Sequence, residues 1–171
     1  MIDKKIQKAI NEQINAEMYS AYLYLSMAAY FDHNNLKGFS SWMRVQAMEE
    51  LTHAKRFYAF LVDRGGRVKL AAIDTPPAEW NNPLDVFTEA AKHEQKVTKL
   101  INGLVDMAIE LHDHAANTFL QWFVNEQVEE EASVEEVIQS LKLVDNQASG
   151  WFLIDKDLAA RTFIPPIGVT I

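Results

Sequence analysis

An all-α fold is what this sequence predicts: a four-helix bundle with one long crossover between helices two and three, plus a short fifth helix towards the C-terminus. Three observations carry that reading. Four long segments repeat their core residues at alternating steps of three and four, the spacing that keeps side chains on one face of a packed helix. Helix-breaking residues are sparse, with 6 Gly and 5 Pro in 171 residues. The breaks that do occur are two short ones and a single long one.

The first helix is predicted from about Asp3 to Asp32, with a seam through Ile10, Ile14, Glu17, Ala21, Tyr24, Ala28 and Phe31. His33-Asn34-Asn35 breaks it. The second runs from about Leu36 to Arg64, through Phe39, Met43, Gln46, Glu50, His53, Phe57 and Phe60. Gly65-Gly66 stops it, since glycine accepts the left-handed geometry of a helix end. A connection then runs to about Asn82. Asn82-Pro83 has the form of an N-cap followed by proline at the first helical position. The third helix continues to about Leu111, through Phe87, Ala90, Glu94, Val97, Ile101, Leu104 and Ala108. His112-Asp113 marks a short turn. The fourth ends near Asn146, after Leu120, Phe123, Gln127, Glu130, Val134, Val137, Leu141 and Val144. Gly150 is expected to separate a fifth helix, roughly Trp151 to Ala160.

Short turns make helices one and two antiparallel, and three and four likewise. The long connection, residues 65–82, reaches at most roughly 60 Å, and a helix of this size spans on the order of 40 Å. It can therefore carry the chain back along the bundle and leave helices two and three parallel. The whole chain, 1–171, is expected to be one domain.

Composition narrows the function. Hydrophobic residues make up 49% and charged residues 23%, ordinary values for a globular protein. There is no Cys, which removes disulfides, thiolate metal sites and cysteine nucleophiles. The net charge of -8 argues against a nucleic-acid surface and suits cationic ligands. Met1-Ile2-Asp3-Lys4-Lys5 lacks the apolar run of a signal peptide, and no apolar stretch approaches a membrane span. A cytoplasmic location is the expectation.

What occupies the seams is more telling. Near the middle of each helix the apolar series gives way to Glu17, then Glu50 and His53, then Glu94, then Gln127 and Glu130. Spacing i, i+3 sets Glu50 beside His53, and Gln127 beside Glu130, on one helix face. Glu17 and Glu50 stand 33 positions apart (50 − 17), as do Glu94 and Gln127 (127 − 94). The halves therefore read as related helix pairs, each delivering one residue and then an i, i+3 pair. An uncompensated buried carboxylate costs several kcal/mol. Four of them rival a whole domain's stability of roughly 5–15 kcal/mol. No Lys or Arg stands near the middle of the seams to neutralise them, so the compensating charge must be protons or external cations. Four carboxylates balance two divalent ions, and oxygen donors with one imidazole suit iron or manganese. A single glutamate on a helix ordinarily faces solvent, but six polar residues in register on four helices are not accounted for that way.

At these residues the sequence resembles the non-haem bacterial and archaeal ferritins, over essentially its whole length. Glu17, Tyr22-Leu23-Tyr24, Met48-Glu49-Glu50-Leu51-Thr52-His53-Ala54, Glu94 and Asn125-Glu126-Gln127-Val128-Glu129-Glu130-Glu131 stand in the expected order. A bundle with one long crossover is the ferritin-like topology. The resemblance implies that Glu17, Glu50 and His53 hold one iron. It implies that Glu94 and Glu130 hold a second, with Gln127 beside it and Glu50 bridging. Tyr24 resembles the family's tyrosine next to the diiron ligands, and a packed aromatic is the alternative. Glu49, Glu126 and Glu129, with Glu130, resemble an additional iron site of bacterial members. Taken alone, Glu129-Glu130-Glu131 reads as a solvated acidic run.

The resemblance implies oxidation of Fe(II) by dioxygen or peroxide, storage of the ferric product, and self-assembly into a hollow shell of 24 subunits. It implies no haem. Bacterioferritins place a haem-binding Met directly after the Glu of their Glu-x-x-His, where Leu51 stands here. They also carry a second Glu-x-x-His, which here is Gln127-x-x-Glu130. Rubrerythrin-like proteins add a cysteine iron site, and this chain has no Cys. Two rival readings stay open: a diiron oxidoreductase with an organic or peroxide substrate, and a structural bundle around a redox-inert metal. His33, His112 and His114 are expected at exposed turns. His93 is expected in packing or at the surface, and Trp42 and Trp122 in the core. The fifth helix, with Trp151, Leu153, Ile154 and Leu158, and the uncharged tail from Thr162 to Ile171 are expected to need a partner surface.

Overall fold

A computed structural model describes residues 2–145 and 147–164. It contains α1 (Lys4–His33), α2 (Lys37–Asp63), α3 (Pro83–Glu110), α4 (His114–Leu143) and α5 (Ala148–Leu158). There is no strand among the described residues. None of the helices is long and apolar enough to cross a membrane.

Local chemistry fixes the boundaries. Asp3 caps α1 by accepting from the Lys5 amide at 2.7 Å. Asn82 caps α3 by accepting from Asp85 N at 2.9 Å, with Pro83 inside the first turn. Asp113 caps α4 by accepting from Ala116 N at 3.0 Å. The same carboxylate takes both arms of Arg64 at 3.0 and 2.9 Å, which ties the end of α2 to the start of α4. Gly65 terminates α2 with φ 70°, as its position predicts, and Asn35 and His112 turn their breaks at φ 60° and 52°.

The direction of each helix follows from which residues meet. One apolar cluster joins the end of α1 (Met27, Phe31), the start of α2 (Phe39, Met43), the start of α3 (Val86, Phe87) and the end of α4 (Val137, Leu141). The other joins Ile6 and Ile10 to Phe57 and Leu61, Ile101 and Leu104, and Leu120 and Phe123. So α1 and α4 run one way and α2 and α3 the other. Stacked rings knit both ends, Phe31 on Phe39 at 5.0 Å and Phe57 on Phe123 at 4.1 Å. The seam residues are buried, except that Phe60, Leu111 and Val144, near helix ends, are only partly so.

The crossover is laid along the outer face of α1. Gln7 Oε1 accepts from Arg67 N at 3.0 Å. Asn11 accepts from Lys69 N at 2.6 Å and donates to Arg67 O at 3.1 Å. Asn15 donates to Ala72 O at 3.0 Å, and Ser26 to Pro77 O at 2.6 Å. Gln7, Asn11 and Asn15 are one turn apart, so a single stripe of amides guides the chain from the start of α1 towards its end.

Two expectations need correction. Gly150 does not separate α4 from α5: it lies inside α5, which starts at Ala148 and ends at Leu158. A Cβ there would come within 2.4 Å of Val144 Cβ, so this glycine permits close approach rather than a stop. The fourth helix ends at Leu143; Asn146 lies outside the described residues. Nor does the whole apolar face of α5 await a partner. Ile154 is buried, and Trp151 and Leu158 pack on the same cluster, while Leu153 and Phe152 are exposed. Of the tail, residues 165–171 lie outside the described ones.

The docking of α5 supplies what α2 lacks. Leu36 offers α2 no side-chain cap. Instead Asp155 of α5 accepts from Gly38 N at 2.7 Å and Phe39 N at 3.0 Å. The approach needs glycine, because a Cβ on Gly38 would fall 1.6 Å from the Asp155 carbonyl oxygen. Replacing Asp155 by alanine should therefore cost about 0.5–2 kcal/mol and loosen α5. Amide hydrogen exchange reads this directly. The α5 amides of the variant should exchange faster, and unchanged exchange would contradict the latch.

Candidate metal centre

Between the two apolar clusters lies a polar layer. Glu17 of α1, Gln46, Glu50 and His53 of α2, Glu94 of α3, and Gln127 and Glu130 of α4 are all buried. Each stands on a helix whose apolar neighbours one turn away are locked into one cluster or the other, so the layer is held from both ends. Among the described residues no lysine or arginine pairs with Glu17, Glu50, Glu94 or Glu130.

The structure brings three of the predicted ligands together. Ligating atoms of Glu17, Glu50 and His53 all lie within 4.8 Å of one another, and each of the three is buried. His53 Nδ1 stands 3.4 Å from Glu50 Oε2 and 3.9 Å from Glu17 Oε2. Trp122 and Phe123 meet the imidazole edge-on at 5.5 and 5.8 Å. Gln13 holds the other oxygen of Glu17 by donating at 2.7 Å. Glu17 Oε2 and Glu50 Oε2 are buried without any hydrogen-bond partner. Orphaned carboxyl oxygens in a dry interior are costly, and a cation seated between them and His53 would satisfy both. The donor set, carboxylate oxygens and one imidazole, fits iron.

Glu94 and Glu130 are handled differently. Tyr24 donates its hydroxyl to Glu94 Oε1. Gln127 donates to Glu94 Oε2 at 3.3 Å and to Thr98 Oγ1 at 3.2 Å, and Gln46 donates to Glu130 Oε2. Glu94 joins no group of three ligating side chains among the described residues. Glu130 does, with His53 and Glu126, again within 4.8 Å. Of the remaining acidic residues, Glu126 is half-buried and Glu129 exposed. Glu49 is half-buried and pairs with Arg161 Nη2 at 2.5 Å.

Electrostatics follow the burial. Desolvation, and then the charge of Glu50, raises the Glu17 carboxyl well above its ordinary value. Desolvation, and then Glu94, does the same to Glu50 and lifts Glu130 to about 8. Glu94 is raised by burial, against the hydrogen bonds of Tyr24 and Gln127. The Tyr24 phenol is pushed up by burial and by Glu94.

Several contributors were not read as site residues, Gln46 among them although it stands in the predicted seam of the second helix. Gln13 and Gln46 stand one turn before Glu17 and Glu50 and are themselves 33 positions apart (46 − 13), so the internal repeat could have flagged them. Arg161, beyond α5, carried no local signal. His93 proves buried, paired with Ser20 Oγ at 2.7 Å and held at about 4 by burial and then by Lys96. Trp42 is core; Trp122 is half-buried beneath Arg56, whose Cζ lies 3.8 Å from its ring centre. His33, His112 and His114 are exposed.

The family described as Ferritin-like domain matches residues 7–144. A bacterial non-heme ferritin of Bacteroides fragilis is 44% identical over 161 residues, covering 94% of this chain and 100% of the relative. The chain belongs to the ferritin family. Iron storage is the function that membership carries, and the buried carboxylate and imidazole layer is what an iron-binding member needs. A bacterial non-heme ferritin of Staphylococcus saprophyticus is 39% identical over 163 residues, covering 95% of this chain and 98% of that one. Among solved structures, an open pore ferritin from Archaeoglobus fulgidus superposes with a TM-score of 0.93 at 52% identity, over 94% of this chain and 98% of that one. A closed form of that ferritin, engineered by mutagenesis, gives 0.94 at 52% identity, over 96% and 100%.

The raised carboxyls predict how stability depends on pH. Between their ordinary value of 4.5 and about 8, the folded chain holds protons that the unfolded chain releases. These carboxyls make chelator-stripped protein less stable as pH rises through that window, by on the order of a few kcal/mol, and His93, held at about 4, opposes them only below its ordinary 6.5. Melting temperatures from pH 6.5 to pH 8 should therefore decline, and Glu130→Gln should flatten the decline. A melting temperature that rises across the window would contradict the assignment.

Proposed function

We propose that this chain is a ferroxidase that oxidises Fe(II) to Fe(III) at a dinuclear centre in its bundle and stores the product in a hollow shell of 24 copies. The observation that carries the reading is the Glu17, Glu50 and His53 cluster with its two orphaned carboxylate oxygens. In this proposal Glu17, Glu50 and His53 seat one Fe(II). Glu94 and Glu130, with Gln127 beside them and Glu50 shared, seat the second. Each Fe(II) gives up one electron. Dioxygen takes the two electrons and two protons and leaves as hydrogen peroxide; peroxide as oxidant takes two electrons and two protons and leaves as two waters. Pairing the irons supplies both electrons at once, so no one-electron oxygen product need be released.

Tyr24, as donor to Glu94, positions that carboxylate. The two positions are unequal. Glu17 and Glu50 present unsatisfied oxygens, while Glu94 and Glu130 must first give up hydrogen bonds to Tyr24, Gln127 and Gln46. A weaker second position suits a store, because Fe(III) has to leave. Glu126 and Glu129, with Glu49 and Glu130, form a third position on the way out, supported by the approach of Glu126 to Glu130 and His53.

Assembly is supported by large apolar side chains left exposed on one chain, among them Tyr22, Leu25, Tyr58 and Val62. A shell of chains each at -8 draws in ferrous iron. The proposal places one such domain per chain, in the cytoplasm, without haem, since Leu51 offers no ligand.

Oxygen uptake on adding Fe(II) tests the reading. Wild-type protein should consume oxygen rapidly for about two ferrous ions per chain, the number that four carboxylates balance. Glu50→Ala and His53→Ala should lose the fast phase, while remaining folded and assembled. Both variants oxidising iron at the wild-type rate would sink the proposal. Tight metal binding without oxygen uptake would favour the redox-inert bundle instead.

A further inference from the structure

Arg161 follows α5 and reaches the neighbouring α2. Its Nη2 meets Glu49 Oε2 at 2.5 Å and its Nη1 donates to Gln46 Oε1 at 2.7 Å. Its Cζ lies 4.4 Å from the ring centre of Trp42, which is itself buried. The planar guanidinium is thus held at three points, in a way that the point charge of a lysine cannot reproduce. Gln46 passes the contact on by donating to Glu130. One cation from the C-terminal segment therefore engages Glu49 directly and Glu130 through an amide.

Glu49 and Glu130 are two of the four carboxylates assigned above to the third metal position. The pair is only partly screened, with side-chain exposures of 24% for Arg161 and 22% for Glu49. A divalent ion accepting Glu49 as ligand would compete for the same oxygen and be repelled by the guanidinium. We infer that Arg161 is a tethered competitor for the third metal position, a positioning residue that holds Glu49 until a metal ion displaces it. This rests on the reading of Glu49, Glu126, Glu129 and Glu130 as a metal position. The latch of Asp155 on Gly38 and Phe39 keeps α5 in place, so the arginine stays within reach after displacement. Occupancy of the third position then becomes coupled to the placement of the C-terminal segment.

Anaerobic Co(II) titration of the assembled protein, followed by calorimetry, tests this. Wild type should show a third, weaker binding event after the first two. Arg161→Met, which keeps an apolar stem on Trp42 and removes the charge, should tighten that third event by about tenfold or more and leave the first, at Glu17, Glu50 and His53, unchanged. Arg161→Gln serves if the methionine variant fails to assemble. Arg161→Lys should lie between wild type and the methionine variant, and Glu49→Gln should weaken the third event. A role confined to anchoring the chain would lower the melting temperature of Arg161→Met without tightening the third event, and that result would overturn the inference. A third event lost in Glu49→Gln but equal in wild type and Arg161→Met would overturn the arginine's role and keep the metal position. No third event in any of these proteins would overturn both.

Discussion

Carboxylates resist burial, and this bundle places Glu17, Glu50, Glu94 and Glu130 at mid-height, between two clusters of aromatic and aliphatic side chains. Each unpartnered ion costs several kcal/mol. The chain has two ways to limit that cost. It raises the proton affinity of the carboxyls, as at Glu130, or it gives them partners. Glu94 and Glu130 receive neutral donors from Tyr24, Gln127 and Gln46. Glu17 and Glu50 each keep an oxygen with no hydrogen-bond partner, with only the His53 imidazole nearby. In the proposed function that residual cost favours cation binding, and the rest of the structure depends on tolerating it.

Toleration comes from the two ends. Stacked phenylalanines lock the helices above and below the layer, and Arg64 with Asp113 ties α2 to α4. The crossover is fastened to α1 by the amide stripe of Gln7, Asn11 and Asn15. At the other end α5 caps α2 through Asp155. Because those contacts bracket the polar layer from both ends, the layer can carry unsatisfied groups without the bundle opening. The same latch brings Arg161 to Glu49, so what fastens the fold also places a charge at the edge of the site.

Much of this was legible in the sequence, for physical reasons. Seams read as helices because burial enforces the alternation of three and four, and a glutamate in such a seam stands out because it is expensive. The i, i+3 spacing of Glu50 and His53 is local geometry, so their convergence followed once the helix was assigned. Contacts between remote segments were not legible. Nothing near Arg161 points to Glu49, 112 positions away, and nothing near Asp155 points to the amides of α2. Gly150 misled because glycine marks both stops and close approaches, and only the position of Val144 distinguishes them. The hydrogen bonds that tie up Glu94 and Glu130 were also hidden, since a seam shows which residues face inward but not which pairs meet.

The central claim is that the orphaned oxygens of Glu17 and Glu50 mark the first seat for a cation. Crystals soaked anaerobically in rising doses of Co(II), with occupancy read from anomalous scattering, test it most directly. The account predicts that metal appears first among Glu17, Glu50 and His53, and only at higher dose beside Glu94 and Glu130. Equal occupancy of the two at every dose, or earlier filling beside Glu94, would contradict it.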